Sequence, residues 1–487
     1  MLGTSLNRFL NQHLDKQPML LQRNDPKFYH ALSSSSKENK EEFASKFPVA
    51  WSSESMSQLI KNGVSDDNGP GVGANRSLRY GTDVNIVRYH TEQKKRIHYK
   101  KDGDIKFSEY QDAIQSGWSV RFLRPHEHSK GVSKIIGFME SVFGCSCGAN
   151  SYWTPSGSQG FAPHYDDVDV FLLQLEGEKQ WKLYDPPTAD DQLARYSSED
   201  YQPEQLAAPK QAFTLKAGDM LYMPRGTVHQ GQTPASSHSL HITFSAFQMH
   251  TYADLLQTIV QRHVECLART DLSLRRGLPL GWMSTMGAIN NGKIRHEEFG
   301  LEPIDPAFGQ QRKEMLKEMR RMVHLVDSTI QSSAEPIDLG ADAFSHGMIA
   351  RRQPAAAAPS AKLPKDGSAV PAEAKIRLMD YNSCRIILKD EEVQIVHCGS
   401  NSTVCYGTPV GQLRFERCFA PALAAIFDAA PREGNNPISP TAGDERGGIV
   451  IGDLPMPDFE EENDAAENRI VLATALLTTG LFELCAQ

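Results

Sequence analysis

The chain has 487 residues, a formal net charge of −9, 23% charged residues and 40% hydrophobic residues. A chain of this length exceeds one ordinary hydrophobic core, so we expect several structural units. The acidic balance argues against a protein that is one large nucleic-acid-binding surface, because phosphate affinity rests on clustered lysine and arginine. No apolar run reaches the roughly 20 residues that a membrane span needs, so we expect no membrane insertion.

Cysteine usage and the amino terminus bear on the cellular compartment. The eight cysteines are scattered without a CxxC pair, so the sequence predicts neither a disulfide framework nor a zinc ribbon. The opening stretch MLGTSLNRFLNQHLDKQPMLLQR lacks the apolar core of a signal peptide. We therefore expect an intracellular protein.

A period-two pattern runs from about residue 84 to residue 248, in short stretches divided by Gly, Pro and Asp. This pattern is typical of an all-β barrel or jelly roll. One helix is predicted inside the region, over 129–144, because apolar residues recur there at helical spacing before a terminal glycine.

Two histidines and a carboxylate in this region are candidate metal ligands. His164 and Asp166 are two residues apart, so on a strand that starts at the preceding proline they would point to the same face. His229, in GDMLYMPRGTVHQ, follows turn signals that deliver it to the start of another strand. Such a set forms the facial triad that leaves one face of Fe(II) open. Asp167 and Asp169 would lie on the opposite face, where we expect solvated rim residues.

The segment FLLQLEGEKQWKLY at 171–184 is predicted to form a hairpin with its turn at 176–178. In the second strand, Lys179, Trp181 and Leu183 share one face, and the two apolar residues indicate that this face is interior. A lysine on an interior face requires an anionic partner, and near a metal site the distal carboxylate of a 2-oxo diacid is suitable. The alternative is a surface lysine beside an outward tryptophan.

The apolar period changes after residue 248, where helical stretches cover about 252–333. We expect these helices to form a dimer interface, with an intramolecular cap as the alternative. A Pro/Ala/Ser-rich stretch at 351–375 is typical of a linker. The last segment, 376–487, combines short strand patterns with two helix patterns, over 419–430 and 467–485, and has the size of a winged-helix unit.

Clusters of basic residues are few. The run KKRIHYKK at 94–101 is interpreted either as a nuclear-import signal or RNA contact, or as the solvated rim of a hairpin. The segment 376–487 holds few Lys or Arg residues, so its winged-helix pattern favours protein interaction or scaffolding over DNA binding. Direct nucleic-acid binding is not expected.

Longer motifs around the candidate ligands resemble a known family. The segments GANSYWTPSGSQGFAPHYDDVDVFLLQLEGEKQWKLY, GDMLYMPRGTVHQ and HSLHITFSAFQ resemble the JmjC ribosomal oxygenases. That family includes nucleolar histidyl-hydroxylases, the Myc-induced nuclear antigen and bacterial arginyl-hydroxylases. The resemblance runs from about residue 76 to residue 487 and favours the nucleolar histidyl-hydroxylase branch.

The resemblance implies an α+β chain with four parts. A JmjC catalytic domain, a double-stranded β-helix of the jelly-roll or cupin type, would occupy 1–248 with its core at about 120–248. A helical dimerisation region would follow over 249–345, then an Ala/Pro-rich linker over 346–375 and a winged-helix domain over 376–487.

The resemblance also implies an Fe(II)- and 2-oxoglutarate-dependent dioxygenase that consumes O2. In this family pattern, His164, Asp166 and His229 would hold the iron. Lys179 would pair with the distal carboxylate of 2-oxoglutarate.

Four further positions match residues of the family's pocket. Asn150, Tyr152 and Ser245 match residues that line the cosubstrate pocket. Arg121 matches an arginine near the substrate cleft, and a structural ion pair is an equally weighted alternative for it.

The implied reaction is hydroxylation of the β-carbon of a histidine in a large-subunit ribosomal protein, a basic partner that suits an acidic enzyme. The alternative is demethylation of methylated histone lysines, which would make a histone tail the partner. A lower-ranked alternative is a catalytically silent cupin-like binding module, against which the complete set of triad and lysine argues. The resemblance further implies a homodimer in the nucleus, with the nucleolus expected and the cytoplasm as the alternative.

Overall fold

The period-two region forms a large antiparallel sheet in the computed structural model. The structure describes residues 5–29, 49–65, 75–291, 293–302, 305–354, 370–402, 410–429, 432–433, 436–437, 447–459 and 461–485. The chain divides into two units, one of residues 1–249 together with 348–487, and another of residues 250–347. Among the described helices, none combines the length and the apolar character that crossing a bilayer requires.

The strands before residue 250 build the two sheets of a jelly-roll barrel, except β2 and β3, which pair with each other in a separate two-stranded sheet. The main path of the sheet runs β1-β10-β8-β12-β7-β6-β4-β5, and β9 and β11 also pair with β8. In chain order the strands are β1 (Met19–Leu21), β2 (Val64–Ser65), β3 (Asn75–Arg76), β4 (Val84–His90), β5 (Lys95–His98), β6 (Ser119–Leu123), β7 (Gly148–Thr154), β8 (Asp169–Tyr184), β9 (Gln211–Lys216), β10 (Met220–Met223), β11 (Val228–Gln232) and β12 (Ser239–Ala246).

The predicted hairpin over 171–184 is wrong, because this segment lies within one continuous strand of 16 residues, β8. Its first half pairs with β10 and β12, and its second half pairs with β9 and β11. Gly177, with φ of +63°, lies where the strand passes from one sheet to the other. A side chain there would meet the carbonyl oxygen of His238 at 1.9 Å, so only glycine fits this crossing.

The side chains of the first half of β8 alternate between two buried clusters, which explains its unbroken apolar run. Phe171 and Leu173 belong to the main core, which also contains residues of the helices that cover the sheet. Val170 and Leu172 point the other way and pack with Trp181 in a second cluster. Both faces of this half-strand are therefore buried, which removes the polar positions that a one-sided strand would show.

Four α-helices in the described part of this region accompany its strands. The predicted helix over 129–144 is confirmed: Ser129 caps its start by accepting a hydrogen bond from the Val132 amide at 3.3 Å, and Gly144, with φ of +68°, ends it. The helices are α1 (Leu6–Gln12), α2 (Ser53–Asn62), α3 (Phe107–Gln115) and α4 (Lys130–Phe143).

The unit of residues 250–347 is helical, as its sequence period predicts. Thr251 and Asp254 form a reciprocal capping box at the start of its first helix. The helices are α5 (Tyr252–Thr270), α6 (Trp282–Thr285), α7 (Pro306–Ser332) and α8 (Glu335–Ile349), the last of which continues two residues past this unit.

The carboxyl-terminal segment contains two three-stranded sheets, β19-β13-β20 and β14-β15-β16. Its elements are β13 (Lys375–Leu378), β14 (Cys384–Leu388), β15 (Glu392–His397), β16 (Gly411–Glu416), α9 (Ala420–Asp428), β17 (Arg432–Glu433), β18 (Asn436–Pro437), β19 (Ile449–Val450), α10 (Glu462–Thr478) and β20 (Phe482–Cys485). The helix predicted to reach residue 485 ends earlier, because the chain turns at Gly480, with φ of +71°, and then pairs with β13.

A buried ion-pair group joins this carboxyl-terminal segment to helix α4. The Arg352 guanidinium lies 3.8 Å from Glu140 and 3.1 Å from Asp380, and all three side chains are buried. Glu140 also accepts hydrogen bonds from the amides of Cys147 and Gln353. The start of the predicted linker is therefore anchored, whereas its middle, 355–369, lies outside the described residues. Loss of one partner from such a buried group is destabilising, because it leaves a buried charge uncompensated.

Substituting the crossing glycine tests the continuous strand. Gly177→Ala should lower the free energy of unfolding by about 2–5 kcal/mol, because the new methyl group displaces a backbone carbonyl and the residue must keep a positive φ. Denaturant unfolding measures this change. Gly157→Ala is the matched control. Gly157 also has a positive φ, +66°, but the Cβ of an alanine there would lie 3.8 Å from its nearest neighbouring atom. Equal destabilisation by the two variants would contradict the crowded crossing.

Candidate active site

The three candidate metal ligands converge, although not on the predicted strand. His164 and Asp166 lie in the irregular stretch just before β8, and His164 forms an isolated bridge with His229 of β11. In that bridge the amide of each histidine donates to the carbonyl of the other, at 3.2 and 2.9 Å. One potential ligand atom from each of the three side chains lies within 4.8 Å of the other two.

Hydrogen bonds fix which imidazole nitrogen faces the site. Nδ1 of His164 lies 2.8 Å from the carbonyl oxygen of Ala162, and Nδ1 of His229 lies 2.9 Å from that of Thr227. A carbonyl can only accept, so each Nδ1 carries a proton, and Nε2 is the ring nitrogen that remains to face the site. The two Nε2 atoms lie 3.9 and 3.8 Å from the Asp166 carboxylate oxygens.

The protonation states suit a divalent cation. Burial, reinforced by the neighbouring His164, lowers the pKa of His229 to about 4, so the imidazole is neutral near neutral pH. Burial would raise the pKa of Asp166, but the attraction of His164 and His229, followed by that of Arg121 and Arg96, lowers it. The site therefore offers the neutral imidazole of His229 and the charged carboxylate of Asp166, the ionisation states that metal binding requires of these two groups.

Lys179 lies in the second half of β8 with only 4% of its surface exposed. Its Nζ donates to Thr154 Oγ1 at 3.3 Å and lies 5.2 Å from the centre of the Trp181 ring. Within the described chain, no carboxylate forms an ion pair with this ammonium, and burial lowers its pKa to about 7. The predicted interior face of Lys179, Trp181 and Leu183 is confirmed, since all three are buried.

The four other predicted pocket residues lie on adjacent strands. When the Asn150 side-chain nitrogen donates to the carbonyl of Ala149, its oxygen accepts a hydrogen bond from Arg121 Nη2 at 3.0 Å. The Arg121 guanidinium also lies over the Tyr152 ring, 5.6 Å from its centre, and Tyr152 stacks on His241 at 4.9 Å. Ser245 belongs to β12, which pairs with β7. Arg121 thus contacts an amide and an aromatic ring, and its charge also acts on the Asp166 carboxylate.

One cavity of about 450 Å³ brings all eight predicted residues together. These residues lie far apart in the sequence, between 121 and 245, and the topology of the barrel brings them together. Several further residues line this cavity without a role predicted from the sequence: Arg96, Phe161, Asp200, Gln230, Gly231, Thr243 and Gln248. Arg96 lies in the run KKRIHYKK, which contains β5; this strand pairs with β4, and its alternate residues face opposite sides.

The two aspartates next to Asp166 differ from each other. Asp167 lines the cavity and accepts hydrogen bonds from Ser197 and Gln248, each at 2.8 Å. The prediction of a solvated rim residue is wrong for Asp169, which is fully buried. It accepts from Tyr222 at 2.5 Å and from Arg225 at 2.9 Å. A buried carboxylate is tolerated there because these partners satisfy it.

The residues of the cavity fit iron and a dicarboxylate. Two imidazole Nε2 atoms and one carboxylate form the donor set that non-haem Fe(II) oxygenases use, and they leave coordination positions open. Lys179 is a buried cation without an anionic partner in the described chain, and an unpaired buried charge is costly. A ligand carboxylate that enters the cavity would supply the missing partner.

Comparisons with known proteins agree with this geometry. A family model described as the JmjC domain matches residues 121–255. The Dictyostelium discoideum protein named bifunctional lysine-specific demethylase and histidyl-hydroxylase NO66 is 31% identical over 416 residues, which cover 83% of this chain and 73% of that protein. The Danio rerio protein named ribosomal oxygenase 1 is 31% identical over 322 residues, with 63% of this chain and 53% of that protein covered.

A solved Escherichia coli structure is also similar. It is described as the ribosomal oxygenase YcfD in complex with cobalt and 2-oxoglutarate; it is 12% identical, covers 99% of each chain and has a TM-score of 0.44. The present chain spans only about half the length of the Danio rerio relative.

A jelly-roll barrel with an HxD…H site and a JmjC match defines an enzyme class, the 2-oxoglutarate-dependent dioxygenases of the JmjC type. More narrowly, the chain belongs to the ribosomal oxygenase family, to which the NO66-named proteins also belong. The family, the enzyme class and the cupin-like barrel predicted from the sequence are thereby confirmed, and the donor set of His164, Asp166 and His229 is consistent with the predicted Fe(II).

The pKa of Lys179 predicts how cosubstrate affinity depends on pH. A bound carboxylate stabilises the ammonium form of Lys179. In the protein without cosubstrate the pKa of Lys179 is about 7, so at higher pH the lysine must take up a proton when 2-oxoglutarate binds. The affinity of the Mn(II)-loaded protein for 2-oxoglutarate should therefore fall by about tenfold per pH unit on the alkaline side, until the pKa of the complex is reached. Calorimetric titration at several pH values measures this. The Lys179→Met variant should bind 2-oxoglutarate weakly, with an affinity that does not fall as the pH rises. A wild-type affinity that is independent of pH would contradict the charge assigned to Lys179.

Proposed function

We propose that the chain hydroxylates the β-carbon of a histidine in a large-subunit ribosomal protein. The observation that carries the proposal is the convergence of His164, Asp166 and His229 with the buried Lys179 in one cavity. The name of the Dictyostelium discoideum relative includes histidyl-hydroxylase, and that of the Danio rerio relative includes ribosomal oxygenase. Both names support the same type of reaction.

Each cavity residue then has a role in binding or orientation. His164, Asp166 and His229 would hold Fe(II), which together with 2-oxoglutarate and O2 supplies the oxidation of an unactivated C–H bond. Lys179 would bind the distal carboxylate of 2-oxoglutarate.

The remaining predicted residues shape the two ends of the cavity. Asn150, Tyr152 and Ser245 would line the cosubstrate pocket, and Arg121, held by Asn150 and Tyr152, would face the substrate. The fixed strands β7 and β12 keep these groups in place, which positions the substrate carbon and limits the access of water.

Charge supports a basic protein as the substrate. The chain carries a net charge of −9, and the carboxylates of Asp167 and Asp200 line the same cavity as the triad. Complementary charge promotes encounter with a basic partner, which a ribosomal protein would be.

Histone demethylation is the second candidate, because the name of the Dictyostelium discoideum relative also includes lysine-specific demethylase. It would use the same triad on an N-methyl carbon, so the metal geometry does not separate the two reactions. A catalytically silent binding module is disfavoured, since every group that iron and a dicarboxylate need is present.

Product mass tests the proposed reaction. The full chain with Fe(II), 2-oxoglutarate and peptides from large-subunit ribosomal proteins should add one oxygen atom to a histidine. His164→Ala should lose about a thousandfold or more of this activity, because it removes a metal ligand. His238→Ala is the matched control, since that histidine is half-exposed and outside the cavity. Methyl loss from lysine peptides without histidine oxidation, or an active His164→Ala, would contradict the proposal.

We also propose that residues 249–345 form a homodimer interface and that 376–487 is a winged-helix domain that contacts proteins. The support for the dimer is an apolar stripe along α5 at every fourth residue, exposed by 93%, 56%, 37% and 36% at Tyr252, Leu256, Val260 and Val264. Such a continuous exposed stripe on a helix is typical of a face that another chain covers. Nuclear, and more finely nucleolar, localisation remains part of the proposal, with the cytoplasm as the alternative.

A charge placed in the stripe tests the dimer. Leu256→Glu should convert a dimer of the full chain into a monomer in light scattering after size exclusion, because the buried carboxylate would lack a partner. Gln257→Glu, on an exposed position of the same helix, is the control and should remain dimeric. A monomeric wild type at micromolar concentration would contradict the interface.

A further inference from the structure

Gly231 lines the cavity but belongs neither to the metal triad nor to the residues with a role predicted from the sequence. It lies two residues after His229 on β11, so both positions face the same side of the strand, and both line the cavity. Its φ is not in the left-handed region, so the backbone would accept any residue. Backbone freedom therefore does not explain a glycine at this position.

The space around Gly231 is already filled by two neighbouring side chains. A Cβ at this position would lie 2.9 Å from Lys179 Cε and 3.2 Å from two ring atoms of Trp181. Favourable carbon contacts need about 3.5–4.0 Å. The side chain of Lys179 thus passes over the place that a side chain at position 231 would occupy, on its way to Thr154.

The surroundings decide which neighbour would move. Trp181 pairs directly with Gly231 across the strands and is packed in the inner cluster with Leu183 and Leu215. Strand β11 is held by its five-residue register with β8 and by the bridge at His229. The lysine side chain is flexible, so it is the group that a larger residue would displace.

We propose that Gly231 is a positioning residue: its missing side chain lets Lys179 cross β11 and hold its ammonium at the end of the cavity, where it receives the distal carboxylate of the cosubstrate. This inference rests on the proposed use of Lys179 in binding 2-oxoglutarate. Any side chain at position 231 would push the ammonium away from Thr154 and change the depth available to a five-carbon 2-oxo diacid.

Binding measurements on the full chain separate this role from a general structural one. Gly231→Ala should weaken 2-oxoglutarate binding to the Mn(II)-loaded protein, measured by calorimetry, on the order of tenfold or more, because the charged hydrogen bond is misplaced. Its affinity for Mn(II) alone should stay unchanged, and in turnover KM for 2-oxoglutarate should rise more than kcat falls. Gly277→Ala, whose added methyl group meets no atom within 4 Å, is the control and should match the wild type.

A double-mutant cycle tests whether Gly231 acts through the lysine. In a Lys179→Ala background, Gly231→Ala should weaken 2-oxoglutarate binding no further, because the displaced side chain is gone. If Gly231→Ala alone does not fold, the double variant should recover a folded protein. A double variant that still fails to fold, or additive losses of affinity, would overturn the inference.

The failure of the inference and that of the proposed function give different results. A wild type that binds Mn(II) but not 2-oxoglutarate would overturn the proposed cosubstrate site and the inference with it. A wild type that binds 2-oxoglutarate, together with a Gly231→Ala variant of equal affinity, would overturn only the role of Gly231.

Discussion

The continuous strand β8 is the constraint on which the rest of the structure depends. Its first half pairs with β10 and β12, and its second half with β9 and β11, so one backbone belongs to both sheets of the barrel. His164 and Asp166 immediately precede this strand, and Lys179 lies within it. The crossing at Gly177 therefore sets the separation between the metal ligands and the ammonium, and no flexible loop intervenes between Asp169 and that lysine.

A buried lysine in such a barrel is costly unless an anion reaches it. The contrast with Arg352 is informative, because that equally buried cation has Glu140 and Asp380 as partners. Arg352 joins parts of the fold, whereas Lys179 has a hydroxyl group and the Trp181 ring beside it, with no carboxylate partner among the described side chains, and opens on a cavity that also holds the triad. The chain thus keeps an unpaired charge where a dicarboxylate would bind, and Gly231 leaves the space that this arrangement needs.

Local signals made part of this structure predictable from the sequence. The helix over 129–144 has its own cap residues, and HxD spacing identified His164 and Asp166 without a correct strand assignment. Contacts between distant segments were not predictable. The pattern at 176–178 resembles a turn, and the crossing follows from the pairing of β8 with distant strands and from the nearby carbonyl of His238. Likewise Asp169 is buried because Tyr222 of β10 and Arg225, which follows that strand, reach it from a distant part of the sequence.

The most direct test of the central claim is a crystal structure of the full chain with Mn(II) and 2-oxoglutarate. We expect the metal on Nε2 of His164, on the Asp166 carboxylate and on Nε2 of His229, with the distal carboxylate of 2-oxoglutarate hydrogen-bonded to Nζ of Lys179 over the backbone of Gly231. A metal bound elsewhere, or a Lys179 side chain still paired only with a hydroxyl group while 2-oxoglutarate binds at another site, would contradict the account.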